Sequence, residues 1–315
     1  MISTTPPEAP AQLWQEPDAW DATRLSSLMS CKRRFYYGHV KQLRPSANAG
    51  FSIDLEFGTA WHESLRTFDS ATCAGHPPQK ALIEAIKRAL ELTAEWPEAQ
   101  VSPAKNRTSL IRALVWYVEQ FGDGVLKPLL VDGKPALEVS WKFPLFPDTP
   151  RPLLCGNMDG IVEFGGEVWV LERKTTGSAL SSFYWAKYAP NLQVDLYCLA
   201  ARTLWPEMNI KGVILEAMQT GAGFARFERR LFLRTPFQMG ETLEAVRHAV
   251  SEARGDPEEL EARPNFASCM NPGPCPFRAV CMSGSRQIRQ WTLDTQYAPR
   301  EKPWNPLAAD DSRDT

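Results

Sequence analysis

Two carboxylates and a lysine flank a glycine pair near the middle of this sequence. Asp159 precedes Gly165-Gly166, and Glu172 and Lys174 follow it. Glycine adopts a positive φ cheaply at both central positions of a tight hairpin turn, so the pair predicts two antiparallel strands. A turn centred there sets Asp159 opposite Glu172. The same register pairs Phe164 with Glu167 and Ile161 with Val170.

This register brings three chemical groups together on one face of the hairpin. Opposed residues lie about 5 Å apart at Cβ, and Lys174, two residues beyond Glu172, shares their face. Two adjacent carboxylates repel each other unless a cation lies between them, and carboxylate oxygens suit Mg²⁺ or Mn²⁺. Such an ion lowers the pKa of a bound water and neutralises charge on a phosphate, while Lys174 can orient that water. The alternative is a surface charge pair, but Ile161, Val168 and Val170 predict buried strands.

The elements that must position this hairpin change character along the chain. Thr23 or Ser26 is predicted to cap a first helix, and further helices are predicted over residues 57–68, 79–94 and 105–121. Strands are predicted over 136–143, 213–218 and 225–233, with helices over 191–204 and 236–254. We predict an α/β fold, with a central mixed sheet flanked by helices and a helical region inserted at about 75–125. A single domain is predicted over 23–293 with a cysteine-rich segment at 265–282, and residues 1–22 and 294–315 are predicted to be flexible tails.

Composition limits the classes of function. The 315 residues are 43% hydrophobic and 23% charged, with a net charge of -2, so a nucleic-acid contact requires a local basic patch. Lys32-Arg33-Arg34 and the arginines at 226, 229, 230 and 234 are candidates, although each cluster is more simply a solvated face. No secretory signal or membrane-length apolar run is visible, so we expect a cytoplasmic protein without membrane association. In that reducing compartment the seven cysteines are expected to be thiols or metal ligands.

Four motifs occur in the order found in one nuclease family. They are Gly58-Thr59-Ala60-Trp61-His62, Gly156-Asn157-Met158-Asp159, Glu172-Arg173-Lys174 and Gln193-Val194-Asp195-Leu196-Tyr197. With them the chain resembles a PD-(D/E)xK nuclease of the RecB/AddB-like exonuclease branch, similar to CRISPR-adaptation and phage exonucleases. The resemblance implies a restriction-endonuclease-like core, catalysis by Asp159, Glu172 and Lys174, and His62 as a third metal ligand. It also implies that Gln193 and Tyr197 position DNA. Glu138, on the strand before the hairpin, is a weaker candidate for a metal contact.

Four cysteines form a separate candidate site. Cys31 lies in the first helix, and Cys269, Cys275 and Cys281 lie in the C-terminal segment, while Cys73, Cys155 and Cys198 are expected to be inert thiols. Four thiolates suit a [4Fe-4S] cluster or a structural Zn²⁺. The resemblance implies the iron-sulfur staple of AddB-like nucleases, although the C-x5-C-x5-C spacing here departs from the usual C-x2-C-x5-C.

The resemblance thus implies a Mg²⁺- or Mn²⁺-dependent deoxyribonuclease, an exonuclease acting on DNA ends or single strands in recombination, repair or phage DNA metabolism. Its partners would be DNA and a helicase or recombination protein. Two alternatives stay open. The first is an inactive nuclease fold that binds DNA or protein, and the second is a structural iron-sulfur or zinc protein.

Overall fold

A computed structural model of the chain describes residues 18–48, 50–122, 124–270, 273–301 and 305–307. The helices are, in chain order, α1 (Ala22–Ser30), α2 (Lys32–Phe35), α3 (Ile53–Cys73), α4 (Pro78–Leu92), α5 (Arg107–Phe121), α6 (Ser182–Ala186), α7 (Leu192–Leu204), α8 (Pro236–Ala253), α9 (Pro257–Glu261), α10 (Arg278–Cys281) and α11 (Arg286–Gln296). The strands are β1 (Ala19–Trp20), β2 (Leu43–Pro45), β3 (Lys127–Pro128), β4 (Leu130–Val131), β5 (Lys134–Pro135), β6 (Leu137–Pro144), β7 (Leu153–Phe164), β8 (Glu167–Thr176), β9 (Ile210–Gly221), β10 (Phe224–Leu233) and β11 (Tyr297–Pro299).

The chain divides into two compact units. Unit 1 comprises residues 1–46, 144–154 and 247–306, and unit 2 comprises 47–143, 155–246 and 307–315. Unit 2 contains the mixed sheet that the sequence predicts. Its strands run in the order β7-β8-β9-β10, antiparallel except for the parallel pair β8-β9, and β3 and β6 also pair with β7.

The glycine hairpin has the predicted turn and register. Gly165 and Gly166 both have positive φ, at 62° and 78°. Phe164 pairs with Glu167 and Ile161 with Val170, as predicted, and the ladder ends at Gly160 and Leu171. The Asp159–Glu172 pair lies one step beyond the end of that ladder, where the Asp159 carboxylate accepts a hydrogen bond from the main-chain N–H of Arg173.

Helices cover both faces of the sheet in unit 2. Successive strand residues point to opposite faces, and on β8 Arg173 meets Tyr117 of α5 while Lys174 meets Gln193 of α7. The α5 side carries an aromatic core in which Trp61 of α3 stacks on Phe227 of β10 with ring centroids 6.0 Å apart. The mixed sheet with helices on both faces confirms the predicted fold class.

Unit 1 begins differently from the prediction. Asp21, rather than Thr23 or Ser26, caps α1 by accepting from the Arg24 N–H at 2.8 Å. The predicted continuous helix is also wrong, because Cys31 has extended backbone (φ -162°, ψ 113°) and separates α1 from α2.

Parts of both predicted tails are ordered. Trp20 is fully buried, and β1 pairs in parallel with Leu153–Leu154 at the start of β7. Near the other end, β11 pairs with β2 and Tyr297 is buried. The rest of the predicted tails, residues 1–17, 302–304 and 308–315, lies outside the described residues. In the described part of the chain, no helix combines the length and apolar character needed to cross a membrane.

Candidate active site

Helix α3 and strand β7 bring the first two predicted ligands into contact. His62 lies in the middle of α3, and its Nδ1 is 3.0 Å from Oδ1 of Asp159 on β7. The Asp159 side chain is nearly buried, with 10% of its surface exposed, and the His62 side chain is 27% exposed. A carboxylate and an imidazole therefore meet at the edge of a cavity of about 390 Å³ that Gly58, Thr59 and Asn157 also line.

Glu138 of β6 completes this group. Among the described residues, His62, Glu138 and Asp159 form the group of three candidate ligands whose donor atoms all lie within 4.8 Å of one another. Glu138 has φ of 50°, a left-handed conformation that is uncommon for a residue with a side chain. Its carboxylate accepts a hydrogen bond from the Asn157 amide at 2.5 Å. Backbone strain of this kind tends to occur at functional sites, and it fits a carboxylate oriented to bind a metal ion.

The remaining predicted residues form a hydrogen-bonded chain. Lys174 Nζ lies 2.5 Å from Glu172 Oε1 and donates to Gln193 Oε1 at 2.9 Å. Gln193 Nε2 in turn donates to the Tyr197 hydroxyl at 2.8 Å, across one turn of α7. Gln193 thus holds Lys174 through its oxygen and Tyr197 through its nitrogen, which fixes the orientation of its amide.

Burial and neighbouring charge set the protonation of these groups. Burial raises the pKa of Glu172 to about 7, assisted by Asp159 and opposed by Lys174. Burial also acts to raise the pKa of Asp159, but His62 and the Arg173 N–H outweigh it and the net shift is downward. The pKa of His62 rises despite burial because Asp159 faces it, and the pKa of Lys174 rises despite burial because Glu172 does. Asp159 is thus held ionised, and Glu172 titrates near neutral pH.

Arg173, between Glu172 and Lys174, serves the core on the opposite face of β8. Its guanidinium lies 2.8 Å from Asp69 of α3 and 2.9 Å from Glu216 of β9. All three side chains are at most 11% exposed. Glu216 also accepts from the Tyr117 hydroxyl at 2.9 Å and pairs with Arg229.

Arg33 and Arg234 are the buried members of the two basic clusters, so the interpretation as solvated faces is wrong for these two residues. Arg33 is buried and donates to the Glu261 carbonyl at 2.6 Å, while Lys32 pairs with Glu252 at 2.7 Å. Arg234 is buried and pairs with Asp195, and the half-buried Arg229 pairs with Glu216. These arginines are therefore occupied by carboxylates and carbonyls rather than available for phosphate.

The four selected cysteines line one small cavity in unit 1. The Asn265 N–H donates to Cys31 Sγ at 3.3 Å, and Arg33 Nη1 lies 3.7 Å from Cys281 Sγ. Cys275 N donates to the Cys269 carbonyl at 2.8 Å, which closes the loop between these two residues. Burial raises the pKa of the Cys275 thiol, and Cys31 and Cys281 raise it further, so these sulfur atoms lie within electrostatic reach of one another.

Solved structures and a family model match this chain. Among solved structures, a candidate exonuclease from Eubacterium rectale is similar with a TM-score of 0.45 and 10% identity, covering 93% of this chain and 92% of its own. SSO0001 is similar with a TM-score of 0.35 and 12% identity, covering 85% of this chain and 87% of its own. No curated protein matches the chain. The family model of the PD-(D/E)XK nuclease superfamily matches residues 19–282, and the chain therefore belongs to that superfamily.

Proposed function

We propose that this chain is a divalent-metal-dependent deoxyribonuclease that hydrolyses phosphodiester bonds, as an exonuclease acting on DNA ends or single strands. The proposal depends on one observation. Potential metal-ligand atoms of His62, Glu138 and Asp159 all lie within 4.8 Å of one another. Beside it lies the Glu172–Lys174 pair. Membership of a nuclease superfamily makes phosphodiester hydrolysis the reaction that these groups fit best.

The donor set fits Mg²⁺ or Mn²⁺. Carboxylate oxygens are the preferred ligands of these hard cations, and imidazole is compatible with Mn²⁺. Asp159, Glu138 and His62 would hold the ion, with Glu172 as the further carboxylate predicted from the sequence. When bound, the ion supplies Lewis-acid activation of water and neutralisation of phosphate charge.

The chain's own residues then divide the remaining work. Asp159 is kept ionised by His62 and by the Arg173 N–H, so it is ready to act as a ligand. The Lys174 ammonium is held by Gln193 at 2.9 Å and can stabilise negative charge on the phosphate or orient the attacking water. Tyr197, bonded to Gln193, makes the positioning of Lys174 depend on α7.

The test is digestion of end-labelled single-stranded DNA, duplex DNA and RNA with Mg²⁺ or Mn²⁺. Wild-type protein should degrade DNA, and Glu172→Gln should abolish the reaction while the protein stays folded. Glu167→Gln, on the same strand but 47% exposed and paired with Lys211, is the matched control and should stay active. Undiminished activity of Glu172→Gln would reject the assignment. An inactive but DNA-binding wild type would favour the alternative of a binding module.

We further propose that Cys31, Cys269, Cys275 and Cys281 hold a [4Fe-4S] cluster. The shared cavity and the N–H donors to Cys31 and Cys281 support this, because thiolate clusters are tuned by hydrogen bonds to sulfur. A cluster would join Cys31 to a segment about 240 residues later, a closure that stabilises by restricting the unfolded chain.

Anaerobic purification with metal and sulfide analysis tests the cluster. We expect about four iron atoms per chain. Cys281→Ala should lose the iron and the visible absorption, whereas Cys198→Ala, a buried cysteine of unit 2, should keep both. A colourless wild type with one zinc would establish the zinc alternative instead.

A helicase or recombination protein as partner rests on the resemblance alone, and co-purification with nuclease activity would test it.

A further inference from the structure

Helix α6 belongs to a stretch of chain that closes on the candidate active site. It lies between Lys174 on β8 and Gln193 on α7, and these two side chains are hydrogen-bonded to each other at 2.9 Å. Both ends of the stretch therefore meet at the candidate site. Arg234 holds the segment that follows this helix by donating to the Tyr188 carbonyl at 2.8 Å.

Lys187, just after α6, is an exposed residue whose ammonium group lies over two aromatic rings. Its Nζ lies 3.9 Å from the ring centroid of Tyr184 and 4.9 Å from that of Tyr188, so the two rings hold the cation by cation–π contacts. Within the described part of the chain, no carboxylate forms an ion pair with Lys187. Its ammonium group contacts aromatic rings instead. The pKa of Lys187 is lowered first by burial and then by Lys174, so the two ammonium groups lie close enough to interact. Lys187, which has no carboxylate partner among the described residues, therefore favours an anionic ligand.

Phe183 extends from the same helix into solvent. Its side chain is 89% exposed, whereas the next two residues, Tyr184 and Trp185, are 5% and 2% exposed. Trp185 is anchored by a hydrogen bond to Glu228 at 3.0 Å, and the Arg230 guanidinium lies 4.8 Å from its ring centroid. An anchored helix therefore presents one aromatic ring to solvent, four residues before Lys187 in the sequence.

We propose that α6 binds the single-stranded part of the DNA substrate next to the cleaved phosphodiester. Lys187 pairs with a backbone phosphate, and Phe183 stacks on an unpaired base. Base–aromatic stacking requires a base whose face is accessible, which a single strand offers and an intact duplex does not. The inference rests on the proposed nuclease function and adds the choice of strand to it.

Fluorescence anisotropy with labelled oligonucleotides in EDTA measures binding without cleavage. Phe183→Ala should weaken binding of single-stranded DNA about tenfold and leave blunt duplex binding unchanged. Lys187→Gln should reduce the slope of log K against log salt by about 0.7, as expected for the loss of one phosphate contact to a single strand. Phe237→Ala is the matched control, since Phe237 is 73% exposed on α8 and should not alter either affinity. Equal melting temperatures would show that the variants fold.

The outcomes separate this inference from the nuclease proposal. If wild-type protein degrades DNA but Phe183→Ala and Lys187→Gln bind single strands as tightly as wild type, the role of α6 is refuted and the nuclease proposal stands. An equal loss of single-strand and duplex affinity would refute the preference for single strands. A wild type that neither binds nor cleaves DNA would refute both proposals.

Discussion

Replacing Arg173 should destabilise unit 2 strongly, although the Arg173 side chain does not line the cavity of the candidate site. Its guanidinium lies 2.8 Å from Asp69 and 2.9 Å from Glu216. Arg173→Met has a similar length but no charge. Glu216 keeps Arg229 and the Tyr117 hydroxyl as partners, whereas Asp69 loses the cation that faces it.

The expected magnitude follows from the burial of these charges. Removing one partner of a buried ion pair costs about 3–5 kcal/mol, because the other charge stays buried without compensation. For a domain of about 150–250 residues this corresponds to a fall in melting temperature of about 6–20 °C. Asp69→Asn in the same molecule removes the uncompensated charge and should recover at least about 1 kcal/mol, which a double-mutant cycle measures as coupling.

Thermal unfolding of the four proteins in the cycle, followed by circular dichroism, provides the measurement. Arg66→Met is the matched control, since Arg66 is 43% exposed on α3 and pairs with Glu63 only at the surface. Its loss should cost less than about 1 kcal/mol. The reasoning fails if Arg173→Met melts within about 2 °C of wild type, because that is less than the effect of 1 kcal/mol. It also fails if Asp69→Asn adds its full cost to that of Arg173→Met.

Three further outcomes are expected. Mn²⁺ at 100 times its Kd should stabilise wild type by about 2.7 kcal/mol in urea unfolding, and Asp159→Asn should lose this effect; equal stabilisation of the variant would contradict the assigned metal ligand. Burial, reinforced by nearby arginines, lowers the pKa of His39 from 6.5 to about 3, so the folded protein disfavours its protonation. The free energy of unfolding is therefore unaffected by His39 above pH 6.5. It decreases as pH falls towards 3, because the unfolded chain binds the proton more readily, and the loss is about 2 kcal/mol at pH 5. His39→Gln should abolish that part of the difference between urea unfolding at pH 7.5 and pH 5, and an unchanged difference would contradict the assignment. Gly166→Ala, at φ 78°, should destabilise the hairpin by about 1–2 kcal/mol, whereas Gly240→Ala inside α8 should not destabilise the protein; equal melting temperatures for the two variants would count against the strained turn.

The hairpin was predictable because local chemistry determines it. Two glycines at positive φ fix the turn, and period-two alternation then fixes every pair down to Gly160 and Leu171. The hydrogen bond between Gln193 and Tyr197 was similarly accessible, because residues four apart share a helix face. That Gln193 also holds Lys174 was not, since the contact joins two elements separated by α6.

Glu138 illustrates what a sequence pattern underestimates. On an ideal strand, the alternation of polar and apolar neighbours predicts whether a residue faces the core or solvent. A glutamate near the start of a strand is usually exposed. Its φ of 50° departs from that pattern, and Asn157 of β7 holds its carboxylate. The only local signal was an acidic residue on the strand before the hairpin. The break at Cys31 was hidden in the same way, because the apolar spacing of residues 25–36 continues through it.

Strand β8 explains why the residue between Glu172 and Lys174 is as constrained as its neighbours. Alternation directs Glu172 and Lys174 to the candidate site and Arg173 to the opposite face of the sheet. There Arg173 forms an ion pair with Asp69 of α3. His62 and Asp69 are seven residues apart, two turns along one face of α3. The helix is therefore fixed to the sheet at two points, by His62 to Asp159 and by Asp69 to Arg173. Any change that shifts α3 at the Arg173 end must also move His62, so the geometry of the candidate metal ligands depends on a buried ion pair on the opposite face of β8.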